Sequence, residues 1–138
     1  MALDTDTLSQ FLDALDRFGK ERLIPYEDRV ADEDVIPPML VDELRTMGLF
    51  GMSIPEDFGG LGLSMIEEVQ AAFVLGQASP AFRSLVGTNN GIGSQGIIID
   101  GTDEQKAKYL PALASGDMIA SFALTEPDAG SDAGGLRT

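Results

Sequence analysis

The stretch with the densest chemistry is Ser121-Phe122-Ala123-Leu124-Thr125-Glu126-Pro127-Asp128-Ala129-Gly130-Ser131-Asp132-Ala133-Gly134-Gly135. Its first part has the character of a strand, and Glu126-Pro127 breaks that strand into a loop of small residues. Gly130-Ser131 offers backbone N–H groups and a hydroxyl with no bulky side chain over them, which suits a phosphate or pyrophosphate. Thr125, at the strand's end, offers a hydroxyl and an N–H to the edge of a heteroaromatic ring. The same residue types build ordinary surface turns, and residue type alone favours that plainer reading. A calcium site through Glu126, Asp128 and Asp132 is not expected: the spacing departs from the EF-hand pattern and no glutamate closes it.

What the chain lacks narrows the chemistry further. Without cysteine there is no disulfide, thiolate catalysis or Cys-ligated zinc. Without histidine there is no Ser-His-Asp triad, no zincin helix and no imidazole base. Proton transfer within these residues falls to carboxylates, Tyr26, Tyr109 or a lysine. Nine Lys+Arg against 23 Asp+Glu give a net charge of −14, which repels phosphate backbones and anionic membranes. Neither nucleic acid nor a membrane is an expected partner. At 138 residues and 43% hydrophobic, the chain has the size and composition of one globular core. No apolar run approaches a membrane span, and Met1-Ala2-Leu3-Asp4-Thr5-Asp6 has the features of neither a secretory signal nor a transit peptide. A cytoplasmic location is the expectation.

These residues must be positioned by helices. Leu8, Phe11, Leu12, Leu15, Phe18 and Leu23 repeat at helical spacing after a cap at Asp4 or Asp6, with Pro25 expected to kink or end the run. Pro37-Pro38 opens a second helix carrying Leu40, Val41, Leu44 and Met47, stopped by Gly48. Residues 49–63 read as a connecting loop. Ser64 with Glu67 is a capping box ahead of Val69, Ala72, Phe73 and Gly76 on one face. Ser79-Pro80 starts another helix, and Thr102 with Gln105 caps the last one, which carries Leu110, Leu113 and an awkward Pro111 before Gly116. Residues 118–124 have no helical caps and read as a strand. Gly91-Ile92-Gly93-Ser94-Gln95-Gly96 has dinucleotide-binding spacing, and Asp117 follows where a ribose-binding acid would stand. The motif needs a strand before it and a helix after it, and the sequence provides neither. It is rejected in favour of a helix with small residues that permit close approach.

Ala123-Leu124-Thr125-Glu126-Pro127-Asp128-Ala129-Gly130-Ser131-Asp132-Ala133-Gly134-Gly135 is similar at every defined position to the acyl-CoA dehydrogenase signature. That pattern runs small, aliphatic, Ser/Thr, Glu, two free, small, Gly, Ser/Thr, Asp, two free, small. Ile54-Pro55-Glu56-Asp57-Phe58-Gly59-Gly60-Leu61-Gly62-Leu63-Ser64 resembles the family's loop between early helices. Gly101-Thr102-Asp103-Glu104-Gln105-Lys106-Ala107-Lys108-Tyr109-Leu110-Pro111 resembles its last amino-terminal helix.

The resemblance implies an all-α chain: a helical amino-terminal domain of about five helices over residues 1–116. Residues 117–138 would then hold the first strand and flavin-contacting loop of a truncated middle β-barrel domain. The chain thus reads as a fragment. By the same resemblance, Phe122, Leu124 and Thr125 lie along FAD, Gly130 and Ser131 hold its pyrophosphate, and Ser131 also touches CoA. Glu126 and Asp132 shape the loop. The helix over residues 81–99 lines the acyl pocket, with Asn90 and Gly91 against substrate and Gly91, Gly93 and Gly96 keeping the wall shallow. Arg83 stands where the glutaryl-CoA type places an arginine for a distal carboxylate; a plain surface arginine is the alternative, and the favoured one. The family's catalytic glutamate would lie beyond Thr138, so no catalytic residue is assigned and the chain alone is expected to show no turnover. The implied partners are acyl-CoA, an electron-transfer flavoprotein and further copies of the chain in a homodimer or homotetramer. A flavin oxidase on the same scaffold, and a helical binding module without catalysis, remain as alternatives.

Overall fold

The structure, a computed structural model, describes residues 3–137; Met1, Ala2 and Thr138 lie outside the described residues. Among the described residues five helical rods form and no sheet does, the all-α architecture expected. The first rod begins as α1 (Thr5–Phe18) and ends as α2 (Glu27–Glu33). Asp4 caps it, its Oδ1 accepting the N–H groups of Asp6 and Thr7 at 3.0 Å each. Pro25 does not end this rod. The helix widens through a π turn at Gly19–Leu23, tightens through a 3-10 turn at Ile24–Tyr26, and resumes to Asp34. Proline brings no N–H for the preceding turn, and the change of winding absorbs the missing bond.

α3 (Pro38–Thr46) buries Leu40 and Leu44, and Gly48 ends the turn after it with a left-handed φ of 72°. Arg22 grips Glu43 of α3 through two bonds, Nε–Oε2 at 2.9 Å and Nη2–Oε1 at 2.6 Å. Residues 49–63, expected as a plain connection, enter the core: Leu49, Phe50, Gly51, Met52 and Ile54 are buried. Such a loop can be buried because its backbone pairs with itself. Leu61 N–H donates to Gly51 O at 2.8 Å, Leu63 N–H to Met52 O at 2.8 Å, and Gly62 N–H to Ile54 O at 2.9 Å.

α4 (Met65–Leu75) starts on the Ser64–Glu67 capping box. Its buried side carries Ala71 and Leu75, whereas Phe73 is 76% and Val69 46% exposed. The Val69-Ala72-Phe73 face read from the sequence therefore has little cover among the described residues. Glu67 does more than cap: its Oε2 accepts the Ser64 N–H and its Oε1 the Leu3 N–H, both at 2.6 Å, tying the start of the chain to α4. Bonding from Ser64, from its hydroxyl first and then its N–H, together with the Leu3 N–H, holds the Glu67 carboxyl below the usual glutamate range. The folded value is depressed, so this stability is present above the unfolded value and is lost as pH falls through the folded one. Glu67→Gln is therefore expected to lower the melting temperature at about pH 7 and to narrow the fall in melting temperature between about pH 5 and about pH 3. Parallel melts of both proteins across that range check it, and identical slopes would refute it.

The fourth rod joins α5 (Pro80–Thr88) to α6 (Gln95–Asp100) through a π turn at Asn89–Gly93, where Gly91 leaves helical geometry at φ −85° and ψ −108°. The expected helix over residues 81–99 is thus one rod with a break. α7 (Asp103–Ser115) begins on the reciprocal Thr102–Gln105 box and runs through Pro111, which is exposed while Leu110, Leu113 and Ala114 pack inward. Gly116 ends it with φ 76°. Residues 118–124, expected as a strand, form no ladder among the described residues. Strand geometry needs a hydrogen-bonding neighbour, and none of the described residues supplies one.

Candidate functional site

Two regions carry the residues singled out by sequence. The first follows α7. Met118 N–H donates to Ala112 O at 2.9 Å and Ala120 N–H to the Asn89 Oδ1 at 2.9 Å, which anchors the lead-in. A tight turn then closes between Glu126 and Ala129, with N–H···O bonds of 2.8 and 3.3 Å in the two directions. Ala129 is buried under it. The Glu126 Oε2 accepts the Arg137 N–H at 3.0 Å, and the Asp132 carboxylate lies so close to Gly135 that a Cβ there would meet Oδ2 at 2.9 Å. Both acids therefore touch the loop's own backbone.

Between and beyond these fixings the loop presents unused groups. Phe122 and Leu124 are 55% and 42% exposed. Thr125 and Ser131 are exposed, and their hydroxyls make no hydrogen bond to the described residues. A Cβ at Gly130 would meet only the Thr125 Cγ2, at 3.5 Å, so the protein's own packing does not demand glycine there. An apolar surface, two free hydroxyls and an uncovered backbone make a fitting receptor for a flat apolar ring joined to a phosphate group.

The second region is a cavity of about 180 Å³ between α4 and α5. Arg83, Asn90 and Gly91 line it together, with Glu68, Val69 and Met52 across from them. The guanidinium of Arg83 lies along the backbone of Gly87, where a Cβ would stand 3.2 Å from its Nη1, and has no ion pair among the described residues. Glu68, which sequence reasoning missed, has its carboxyl pushed up by burial. Asn90 lines the wall, but its amide is committed to the protein. Its Nδ2 donates to Leu49 O at 2.6 Å and Val86 O at 2.9 Å, and its Oδ1 accepts the Ser53 N–H at 3.0 Å. Of the three glycines expected to shape this wall, only Gly91 lines the cavity. Gly93 faces Ala120, and Gly96 has open space around it.

The helical domain thus presents a lined cavity between α4 and α5 and, after α7, an open glycine-rich segment. Residues 5–117 match the family model described as acyl-CoA dehydrogenase, N-terminal domain. The chain is 42% identical over 135 residues to the (2S)-methylsuccinyl-CoA dehydrogenase of Cereibacter sphaeroides, covering 96% of this chain and 24% of that protein. It is 36% identical over 121 residues to an acyl-CoA dehydrogenase of Bacillus subtilis, covering 88% of this chain and 32% of the relative. A solved acyl-CoA dehydrogenase from Bacillus anthracis, complexed with FAD, superposes with a TM-score of 0.84 at 32% identity, covering 96% of this chain and 22% of the other. The chain belongs to the acyl-CoA dehydrogenase family. It spans a third or less of the length of these relatives.

Proposed function

We propose that this chain is the amino-terminal portion of an FAD-dependent acyl-CoA dehydrogenase, forming one wall of the acyl pocket and the first contact with the flavin. The observation that supports this most directly is the exposure of Phe122, Leu124, Thr125, Gly130 and Ser131, none of which the fold uses in its own hydrogen bonds or core among the described residues. In this reading residues 117–138 open a β-domain. FAD, when bound, supplies a two-electron acceptor. Phe122 and Leu124 give the ring an apolar flank, and Thr125 offers it a hydroxyl and an N–H. Gly130 and Ser131 take the pyrophosphate, and Ser131 also reaches the CoA moiety. The substrate is an acyl-CoA thioester that loses a proton from its alpha carbon and a hydride from its beta carbon, becoming a 2,3-enoyl-CoA. No described residue is assigned as the base for the alpha proton. The same reading carries a cytoplasmic location, an electron-transfer flavoprotein as electron acceptor, and a homodimer or homotetramer as the working assembly.

Gly130→Val separates this reading from a plain surface turn. Nothing but a threonine methyl stands within 4 Å of the new Cβ, so the melting temperature is expected to hold, while FAD affinity falls by about a hundredfold as the side chain covers the pyrophosphate seat. Flavin fluorescence titration of the flavin-binding protein measures it. Unchanged affinity would return the segment to an ordinary turn. The isolated chain is expected to show no acyl-CoA turnover, and detectable turnover from purified 138-residue protein would refute that part.

Arg83 deepens the substrate question. It lines the cavity without an ion-pair partner among the described residues, so it is available to a carboxylate at the far end of an acyl chain. Glu68 shares that cavity, and its burial-raised carboxyl opposes a second anion less when protonated. Binding of glutaryl-CoA and butyryl-CoA, compared before and after Arg83→Ala, decides between a carboxylate receptor and a surface arginine. A receptor loses glutaryl-CoA selectively, whereas an unchanged preference leaves a surface arginine.

A further inference from the structure

Asn89 is fully buried, and its single carboxamide joins three parts of the fold. Its Nδ2 donates to Phe50 O at 2.8 Å, in the buried turn after α3, and to Leu113 O at 3.0 Å near the end of α7. Its Oδ1 accepts the N–H of Ala120 at 2.9 Å, across 31 positions of chain. The two donor bonds satisfy core carbonyls and would be enough to explain a buried amide. The acceptor bond does something different: it fixes Ala120, a half-buried residue packed at the edge of the Ile54, Leu110 and Leu113 cluster, just ahead of the exposed residues that follow.

Gly93 contacts the same residue independently. A Cβ at position 93 would stand 2.4 Å from the Ala120 Cβ, closer than carbon atoms approach, so Ala120 can take its seat only while position 93 is glycine. Past Ala120, residues 121–125 make no hydrogen bond among the described residues until the turn at Glu126. Ala120 is thus the last anchored point before Phe122, Leu124 and Thr125.

We infer that Asn89, with Gly93 keeping the seat clear, is a positioning residue for the flavin-contacting segment: by holding the Ala120 N–H it sets where that segment leaves the helical domain. The inference rests on the reading of Phe122 to Ser131 as the FAD contact. Asn89 itself touches no cofactor and acts through Ala120.

The test uses two measurements. Amide hydrogen exchange on the unsubstituted chain should show the Ala120 N–H exchanging at least about tenfold more slowly than those of Phe122 and Leu124. Exchange at the rate of those neighbours would overturn the tether, whatever the flavin does. In the flavin-binding protein, Ala120→Pro removes the tethering N–H and leaves both Asn89 core bonds in place, while Gly93→Ala crowds the seat. Each is expected to weaken FAD binding by about tenfold in the folded protein and to change the absorption envelope of bound flavin. A purely structural Asn89 predicts altered melting with unchanged FAD affinity and spectrum, and that result in both variants would overturn the inference. Should the unsubstituted protein take up no FAD while its Ala120 amide stays protected, the flavin reading fails and the tether stands.

Discussion

Gly60→Ala is expected to destabilise the fold by about 3 kcal/mol or more, a large share of a typical domain's stability of roughly 5–15 kcal/mol. A Cβ at this position would lie 2.0 Å from Ile54 O, 2.6 Å from the Ile54 carbonyl carbon and 2.7 Å from Gly51 O. All three are backbone atoms, so no side chain can swing aside. The same two carbonyls accept Gly62 N–H and Leu61 N–H, at 2.9 and 2.8 Å, so making room breaks the bonds that let this loop be buried. Ile54, fully buried against Leu110, Leu113 and Ala114, would be drawn out with it. Gly59→Ala is the comparison. Its φ is 83°, which disfavours a side chain, but nothing lies within 4 Å of the new methyl. Its cost should be about 1 kcal/mol. Urea denaturation of both variants checks the pair, and equal costs would mean that the loop makes room for the new methyl and that collision does not set the glycine requirement at position 60.

Asn90→Ala is the second large effect, expected at about 3 kcal/mol. The truncation strips the Asn90 amide from Leu49 O and from the Ser53 N–H, while Val86 O keeps the Asn89 N–H, all close to the break at Gly91. Burial keeps water from replacing them fully, so the penalty is chiefly that of unsatisfied polar groups. Asn90→Asp sharpens the test. It has the same shape but turns the Nδ2 donor into an oxygen facing two carbonyls, and burial favours its protonated form. Protonation restores one donor, so the Asn90→Asp deficit should shrink as pH falls from about 7 to about 4, opposite to the acid loss expected through Glu67. Chemical denaturation at both pH values measures this. A deficit independent of pH would show the site to be solvated. Either variant should also loosen the cavity wall that Arg83 and Gly91 share with Asn90.

Much of the scaffold was legible in the chain because the forces involved are local. The caps at Asp4, Ser64 with Glu67, Ser79, and Thr102 with Gln105 each link residues no more than three apart, and the structure forms every one. Gly48 and Gly116 stop their helices in left-handed geometry because a glycine pays no Cβ penalty there. The Ala123–Gly135 pattern pointed to the family because its residue types are closely specified over a short stretch.

Tertiary contact decided what local pattern could not. Residues 49–63 look glycine-rich and turn-like, yet Phe50 and Ile54 are fully buried, because Asn89 and Asn90 bring side-chain donors to the carbonyls of Phe50 and Leu49 from about 40 positions away. Apolar spacing on α4 marked Val69 and Phe73, but packing against α1 selected Ala71 and Leu75. Pro25 would break an isolated helix, yet Leu23 and Val30 are buried on either side of it, and their packing rewards continuation through altered turns. The raised carboxyl of Glu68 and the seat of Ala120 on Gly93 depend on surfaces that meet only after folding. Backbone geometry is a near-neighbour property, whereas burial, desolvation and the pairing of distant polar groups depend on which helices lie beside one another.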